Sequence, residues 1–537
     1  MTGYLNLFSR RATPQRDPIP GTVPNSAGGH AFALDDWARL DRFLILGSEG
    51  GSYYAAERAL TRENAAAVLR CIAADGPRVV ARVVAVSESG RAPKPDPAIF
   101  ALALAAAADD LATRRAALAA LARVCRTGTH LFRFASFVEG SRGWGRALRR
   151  AVGAWYLERP VEALAYGLVK YRQRDGWTHR DVLRLAHPQT AEPARRALFD
   201  WVCRGTQDPA LPGLVHAAAA LARCGTAAEA AALIRAHDLP REAVPTEWLN
   251  DPAVWEALLE RMPMTALVRS LAKLTAVGVL RPLGEGVPQV LSALGDRERI
   301  LRARLHPLQL LLALRTYARG QGERGTLRWD PVQPVVDALN AAFYTAFAAV
   351  EPTGRRILLA LDVSGSMGCG RVAGTSLTPR EGSAAMALVT AATEANTHLV
   401  GFTAGSDGRY GGQWGGQASL TPLPLSPSMR LDDVVRAVSA LPMGGTDCAL
   451  PMLHALERGL SVDAFVVYTD SETWAGEIHP VQALRRYRER TGIAAKLVVV
   501  GMVSNGFSIA DPDDAGMLDV VGFDAAAPAV IADFIRR

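Results

Sequence analysis

An aspartate and two serines on alternate positions, Asp362-Val363-Ser364-Gly365-Ser366, close a short apolar run and place three oxygen side chains where one turn can converge them. Two further segments complete the set. Gly444-Gly445-Thr446-Asp447 offers the Thr446 hydroxyl on a glycine-supported loop, and Asp470 ends the run Ala464–Thr469. Carboxylate and hydroxyl oxygens are hard donors that favour Mg²⁺, Mn²⁺ or Ca²⁺ over zinc. Asp362, Ser364, Ser366, Thr446 and Asp470 therefore read as holding a divalent cation, Mg²⁺ before Mn²⁺ or Ca²⁺, in an octahedral site with one position left for an outside group. For the first motif alone, serines that cap a helix and solvated aspartates would serve as well; three segments in this order favour the metal.

Other chemistries lack their parts. A phosphotransferase built on an Asp-x-Asp after the first strand would need an acid where Ser364 stands. No GxxxxGK[ST] is present to cradle a nucleotide phosphate. Ser364 and Ser366 have no histidine nearby in the sequence to act as base, and two-metal hydrolysis wants more carboxylates than Asp362 and Asp470 supply. The expectation is a protein that is not an enzyme.

A second group of residues is electrostatic. Residues 130 to 184 hold eleven basic side chains (Arg133, Arg142, Arg146, Arg149, Arg150, Arg159, Lys170, Arg172, Arg174, Arg180 and Arg184) against five acids, which suits a polyanion. The plain alternative is a solvated helical face. Charge also divides the chain: residues 353 to 537 carry 15 Lys and Arg against 19 Asp and Glu, a net of −4, whereas residues 1 to 352 carry 45 against 34, a net of +11.

These residues need scaffolds of two kinds. Residues 1 to 34, rich in Pro, Gly and Arg, read as a surface tail or clasp. From 35 to 352, apolar residues recur at three- and four-residue spacing between short breaks, among them Pro93-Lys94-Pro95, Asp175-Gly176 and Pro212-Gly213, which predicts helix pairs stacked as an α-solenoid. From 353 the grammar changes to apolar runs alternating with helices: Arg355–Leu361, His398–Phe402, Ala464–Thr469 and Lys496–Gly501. Such runs predict a parallel, doubly wound α/β sheet, with ligands beyond the carboxyl ends of its strands, where Asp362 and Asp470 fall. The fold class expected is thus multidomain α and α/β.

With 537 residues and 49% apolar content, the chain can bury more than one core, and no stretch approaches the roughly 20 apolar residues that span a bilayer. The amino terminus has no apolar segment followed by a cleavage site, and six scattered cysteines form neither a disulfide framework nor a thiolate zinc site. A cytoplasmic location without membrane contact is expected.

The serines, the threonine and the strand-end aspartates resemble the metal-ion-dependent adhesion site of von Willebrand factor A domains, where the hydroxyls touch the metal and the aspartates reach it largely through water. Nearly the whole chain resembles the Ro autoantigen family, a TROVE ring of HEAT-like helical repeats closed by such a domain. The strings that carry this are Arg42–Tyr54, Val124–Phe134, Trp144–Arg150 and Lys170–His187 in the helical part, with Val350–Met367, Met443–Met452, Tyr468–Ala475 and Val500–Met517 in the second domain. The resemblance implies a monomeric ring that binds single-stranded ends of misfolded or precursor RNA in a central hole and Y-like small noncoding RNA on its outer surface. It implies a role in RNA quality control or maturation with a 3′-to-5′ exoribonuclease. It also carries Lys170, Arg174 and His187 onto RNA-contacting positions, with Arg172, Arg133 and Arg146 beside them in the basic segment. Lys170 and Arg174, four apart, are expected on one helical face. Trp144 and Trp155, among apolar helical neighbours, read as core. Gly405–Gly416 is a glycine-rich departure from the family. The rival from another class is a metal-dependent protein-interaction scaffold with no direct RNA role.

Overall fold

The computed structural model describes residues 12–47, 57–92, 94–140, 143–303, 305, 307–322, 326–346, 352–372, 377–404, 419–423, 429, 431–441, 444–503, 505–521 and 527–537. Arg142 and the segment Gly405–Gly416 lie outside the described residues. Among those described, strands run in chain order as β1 (Thr22–Pro24), β2 (His30–Ala33), β3 (Gln173–Arg174), β4 (Trp177–Thr178), β5 (Ile357–Asp362), β6 (Thr397–Thr403), β7 (Ser419–Pro422), β8 (Ala464–Thr469), β9 (Lys496–Gly501), β10 (Phe507–Ser508) and β11 (Met517–Val521). The chain divides into two compact units. One comprises Met1–Ala67, Arg91–Pro93 and Phe347–Arg537; the other comprises Val68–Gly90 and Lys94–Ala346. The cuts expected at 34/35 and 352/353 thus stand beside a division that also gives 35–67 to the first unit, and within that stretch the helix Asp36–Leu46 packs on β11.

In the first unit a six-stranded sheet runs in the order β11-β9-β8-β5-β6-β7. All neighbours are parallel except β7, which pairs antiparallel with β6 at the edge. The expected parallel, doubly wound sheet is therefore present, with one antiparallel edge strand added. Every residue of β5 and β8 is buried, as helices on both faces require, and this is why those strands read as unbroken apolar runs. Phe402, Phe465, Met452, Leu484 and Tyr487 fill the core on one face. From the central pair β5 and β8 the chain order runs outward in both directions, so this pair is the topological switch point, where an open α/β sheet has its crevice. Asp362 is the last residue of β5, and Asp470 follows the last residue of β8.

A second, three-stranded sheet joins β1, β2 and β10. The segment expected as a tail therefore reaches β10 through β2, with Phe32 opposite Ser508. The helix Asp36–Leu46 follows, and its buried Arg42 donates to both oxygens of Asp519 on β11, at 2.7 and 2.9 Å, and to Asn505 Oδ1 at 2.6 Å. Gly501 leaves room for that guanidinium: a Cβ there would meet Arg42 Cζ at 3.0 Å.

Among its described residues the second unit is helical, apart from one short hairpin and an isolated bridge between Gln321 and Arg328. Helices pack mainly on near neighbours in sequence: Asp96–Ala107 with Gly128–Glu139, Gly213–Leu221 with Ala227–His237, Ala227–His237 with Pro252–Glu260, and Pro307–Arg319 with Gln333–Thr345. That is the contact pattern of stacked helical repeats. Side chains of Thr127, Thr178 and Thr226 cap the helices that follow them, marking starts that apolar periodicity alone leaves open.

Candidate metal centre and nucleic-acid interface

The turn after β5 is tied to itself. Ser364 N donates to Asp362 Oδ1 at 2.9 Å, and the Ser364 and Ser366 hydroxyls are 3.1 Å apart. From β8, Thr469 Oγ1 donates to Asp362 Oδ2 at 2.6 Å. Asp362, Ser364, Ser366, Thr446 and Asp470 are all buried, at 5% exposure or less. The Thr446 loop joins through its main chain: Gly365 N donates to Gly444 O at 3.3 Å, and the Thr446 carbonyl accepts from Trp474 N and Ala475 N at 3.1 Å each. The structure thus brings the three segments to the edge where the sequence places them.

Electrostatics shows what this cluster needs. Burial raises both the Asp362 and Asp470 carboxyls above the usual carboxylate range, and Asp362's charge raises Asp470 further, while hydrogen bonding from Ser366 draws Asp470 back. Nearby Glu472 is pushed up to about 8 by burial and then by Asp470. The buried Arg380 guanidinium donates to the Ser364 carbonyl at 2.9 Å and to the Val363 carbonyl, so it braces the turn. Two buried carboxylates beside hydroxyls form an anionic pocket of hard oxygens, which a divalent cation fits. Among the described residues no cluster of three or more His, Cys, Asp or Glu side chains could hold a metal ion; this set differs in drawing on hydroxyl oxygens as well as carboxylates.

The basic residues lie in the helical unit, and one expectation about them is corrected. Lys170 and Arg174 do not share a helical face: the helix Val161–Lys170 ends at Lys170, Tyr171 leaves it at φ −109°, ψ 77°, and Arg174 sits on β3. The cause is the turn Asp175-Gly176, whose φ values of 52° and 81° close a two-residue hairpin between β3 and β4. Arg174 is exposed on this hairpin, and Arg172, also exposed, lies in the link that leads into it. Lys170 is half-buried between two rings, with its Nζ 5.2 Å from the centroid of Tyr166, 5.6 Å from that of Tyr171, and 3.3 Å from the Tyr166 hydroxyl. Arg133 is occupied by Asp175 at 2.5 Å and Asp96 at 3.5 Å, so it anchors the turn to its own helix. Arg146 is exposed at the start of the helix Arg146–Leu157, and Trp144 just ahead of it lies 5.7 Å from Trp177 on β4.

His187 is exposed and ends the helix His179–Ala186 in a left-handed conformation, φ 47°. The histidine buried in this segment is His179, whose Nδ1 lies 2.8 Å from the Tyr156 hydroxyl and whose ring meets Phe132 and Trp155. Trp155 is core at 3% exposure; Trp144 is only partly buried. Tyr166 and Tyr171 escaped sequence reasoning, although Tyr166 stands one helical turn before Lys170. The signal that would have found the hairpin is the Asp-Gly pair, which reads there only as a break.

Comparison with known proteins finds two family matches along the chain, the helical one beginning inside the stretch that packs with the first unit. Residues 356–535 match the Ro60 vWA domain family, and residues 23–208 and 236–316 match the TROVE domain family. A Deinococcus radiodurans protein named RNA-binding protein RO60 is 43% identical, over 99% of this chain and 98% of that one. A Caenorhabditis elegans protein of the same name is 36% identical, over 99% of this chain and 92% of that one. The crystal structure of the Deinococcus radiodurans RO (RSR) protein superposes with a TM-score of 0.70, covering 94% of this chain and 99% of that one.

Proposed function

The chain belongs to the Ro60 family, carrying both its TROVE and its vWA domains, and from that premise we propose that it is a noncatalytic RNA-binding protein with a divalent-cation site in its α/β unit. The observation that carries the RNA reading is the exposed hairpin β3–β4, which with the link into it presents Arg172 and Arg174 beside Lys170 within the TROVE match. Cations spaced along a short ribbon contact successive phosphates of a flexible strand without reading its bases. Tyr166 and Tyr171, flanking Lys170, add aromatic surface of the kind on which bases stack. His187 and Arg146, both exposed, extend the positive and polar surface.

The RNAs proposed are single-stranded ends of misfolded or precursor transcripts and a Y-like small noncoding RNA, handled by a monomeric ring together with a 3′-to-5′ exoribonuclease in the cytoplasm. Among the described residues no helix is long and apolar enough to cross a membrane. At the sheet edge, Ser364, Ser366 and Thr446 would hold Mg²⁺, or Mn²⁺ or Ca²⁺, with Asp362 and Asp470 supplying charge. The cation would offer one coordination position to an oxygen from a partner. The chain's own residues do the rest: Thr469 and Ser364 N fix the Asp362 carboxylate, and Arg380 holds the carbonyls of the turn.

Copurified nucleic acid tests the reading first. Protein isolated from its own cells should carry RNA removable by ribonuclease, and it should leave radiolabelled RNA intact in Mg²⁺. A nucleic-acid-free preparation that also ignores added RNA would instead support a protein-interaction scaffold. For the exoribonuclease step, a time course on structured RNA should change when the protein is added; identical product ladders with and without it would remove the adaptor role.

A further inference from the structure

The metal-site loops are held from behind by the amino-terminal segment. Gln15 is fully buried, and its amide bridges three parts of the 444–478 region: Nε2 donates to Asp447 Oδ1 at 2.6 Å and to Ile478 O at 2.9 Å, while its Oε1 accepts from the Thr473 hydroxyl. The main chain adds Gln15 N to Gly476 O at 2.8 Å. Ten residues on, Asn25 Nδ2 donates to Thr473 O at 2.7 Å, and Ala27 N donates to Glu472 Oε2 at 3.0 Å. The fit is tight: a Cβ on Gly29 would lie 2.0 Å from Thr473 O, and one on Gly476 would lie 2.4 Å from both Asp447 Oδ1 and Gln15 Nε2.

Asp447 follows Thr446 directly, and Glu472 and Thr473 follow Asp470 closely. Asp447 faces Gln15 and accepts Ala449 N at 3.0 Å, so its carboxylate fixes the loop. Thr473 Oγ1 accepts Cys448 N at 3.1 Å and donates to Gln15, which makes that one amide the clamp between the Thr446 loop and the Asp470 loop.

We propose that residues 13–30 form a strap whose docking positions Thr446 and Asp470, with Gln15 as the positioning residue, so that strap docking and divalent-cation binding reinforce each other. The inference rests on the metal reading given above. Groups behind a metal's ligands set their orientation, and losing such a group commonly costs 10- to 100-fold in metal affinity. Coupling of this kind is reciprocal: a cation that favours the docked loops must also favour the docked strap.

The test uses the full chain, with Mn²⁺ as the probe, in calorimetry and amide hydrogen exchange on the wild type, Gln15→Ala and Ser364→Ala. The expected result is a loss of about 10- to 100-fold in Mn²⁺ affinity for Gln15→Ala. In the wild type, Mn²⁺ should also slow exchange in residues 13–30, and Ser364→Ala, which leaves the strap intact, should abolish that protection. If Gln15→Ala does not fold, Asn25→Ala carries the same expectation through the Thr473 carbonyl. Wild-type affinity in the strap variant, with Ser364→Ala inactive in binding, would overturn the strap while leaving the metal site standing. A wild-type chain that binds no Mn²⁺ would overturn both.

Discussion

At the scale of single residues, the two candidate sites differ in how their side chains are committed. The carboxylates at the sheet edge are buried and mutually repelling, so the site's chemistry depends on what neutralises them. Ser364→Ala should abolish Mn²⁺ binding in calorimetry while RNA affinity stays within about twofold, since the basic hairpin lies in the other unit; a parallel loss of RNA binding would contradict that separation. His179 yields a pH prediction. Burial holds its imidazole down to about 3, against about 6.5 in an unfolded chain. Below pH 6.5 the unfolded chain therefore takes up a proton that the folded chain refuses. Stability should rise with pH across this window and fall by about 1.4 kcal/mol for each unit of acidification below 6.5, until the folded value is reached. Thermal melts at pH 7.5 and 5 would check it: the wild type should lose more stability on acidification than His179→Gln, and equal losses would refute the assignment.

At the scale of elements, the fold was most legible where periodicity is strong. β5, β8 and β9 follow the apolar runs that end at Leu361, Thr469 and Gly501, because strands covered on both faces must be apolar throughout. The metal residues were legible for the same reason, since their place follows from strand ends. The amino-terminal segment was not: Gln15 and Asn25 are buried by partners more than 400 residues away, and no local pattern encodes that. Nor was the hairpin read, since two strands of two residues each leave no alternation to see. Gly176→Ala tests its role without touching charge. At φ 81° an alanine should cost about 1–2 kcal/mol, loosen the turn and weaken RNA binding in a filter assay; unchanged affinity would show that the hairpin's shape is irrelevant. Arg42 tests the attachment of the helix Asp36–Leu46. Arg42→Ala leaves Asp519 and Asn505 without their buried partner and should destabilise the first unit by about 3 kcal/mol in urea. A cost below about 1 kcal/mol would mean the pair merely decorates a packed helix.

At the scale of the whole molecule, a basic helical part and an acidic α/β part point to a division of labour, with net charges of +11 and −4 on either side of residue 353. Charge of that sign and size draws RNA to the helical part by release of counterions, and it makes the affinity a steep function of salt. The central claim is that this attraction is organised by the segment 170–174 rather than spread over eleven interchangeable cations. Filter binding of an RNA with a single-stranded 3′ end, across a salt series, measures that most directly. Against the wild type, Lys170→Ala with Arg174→Ala should bind markedly less tightly, and the slope of log affinity against log salt should flatten by about one phosphate contact per cation removed. Wild-type affinity and slope in the double variant would contradict the account.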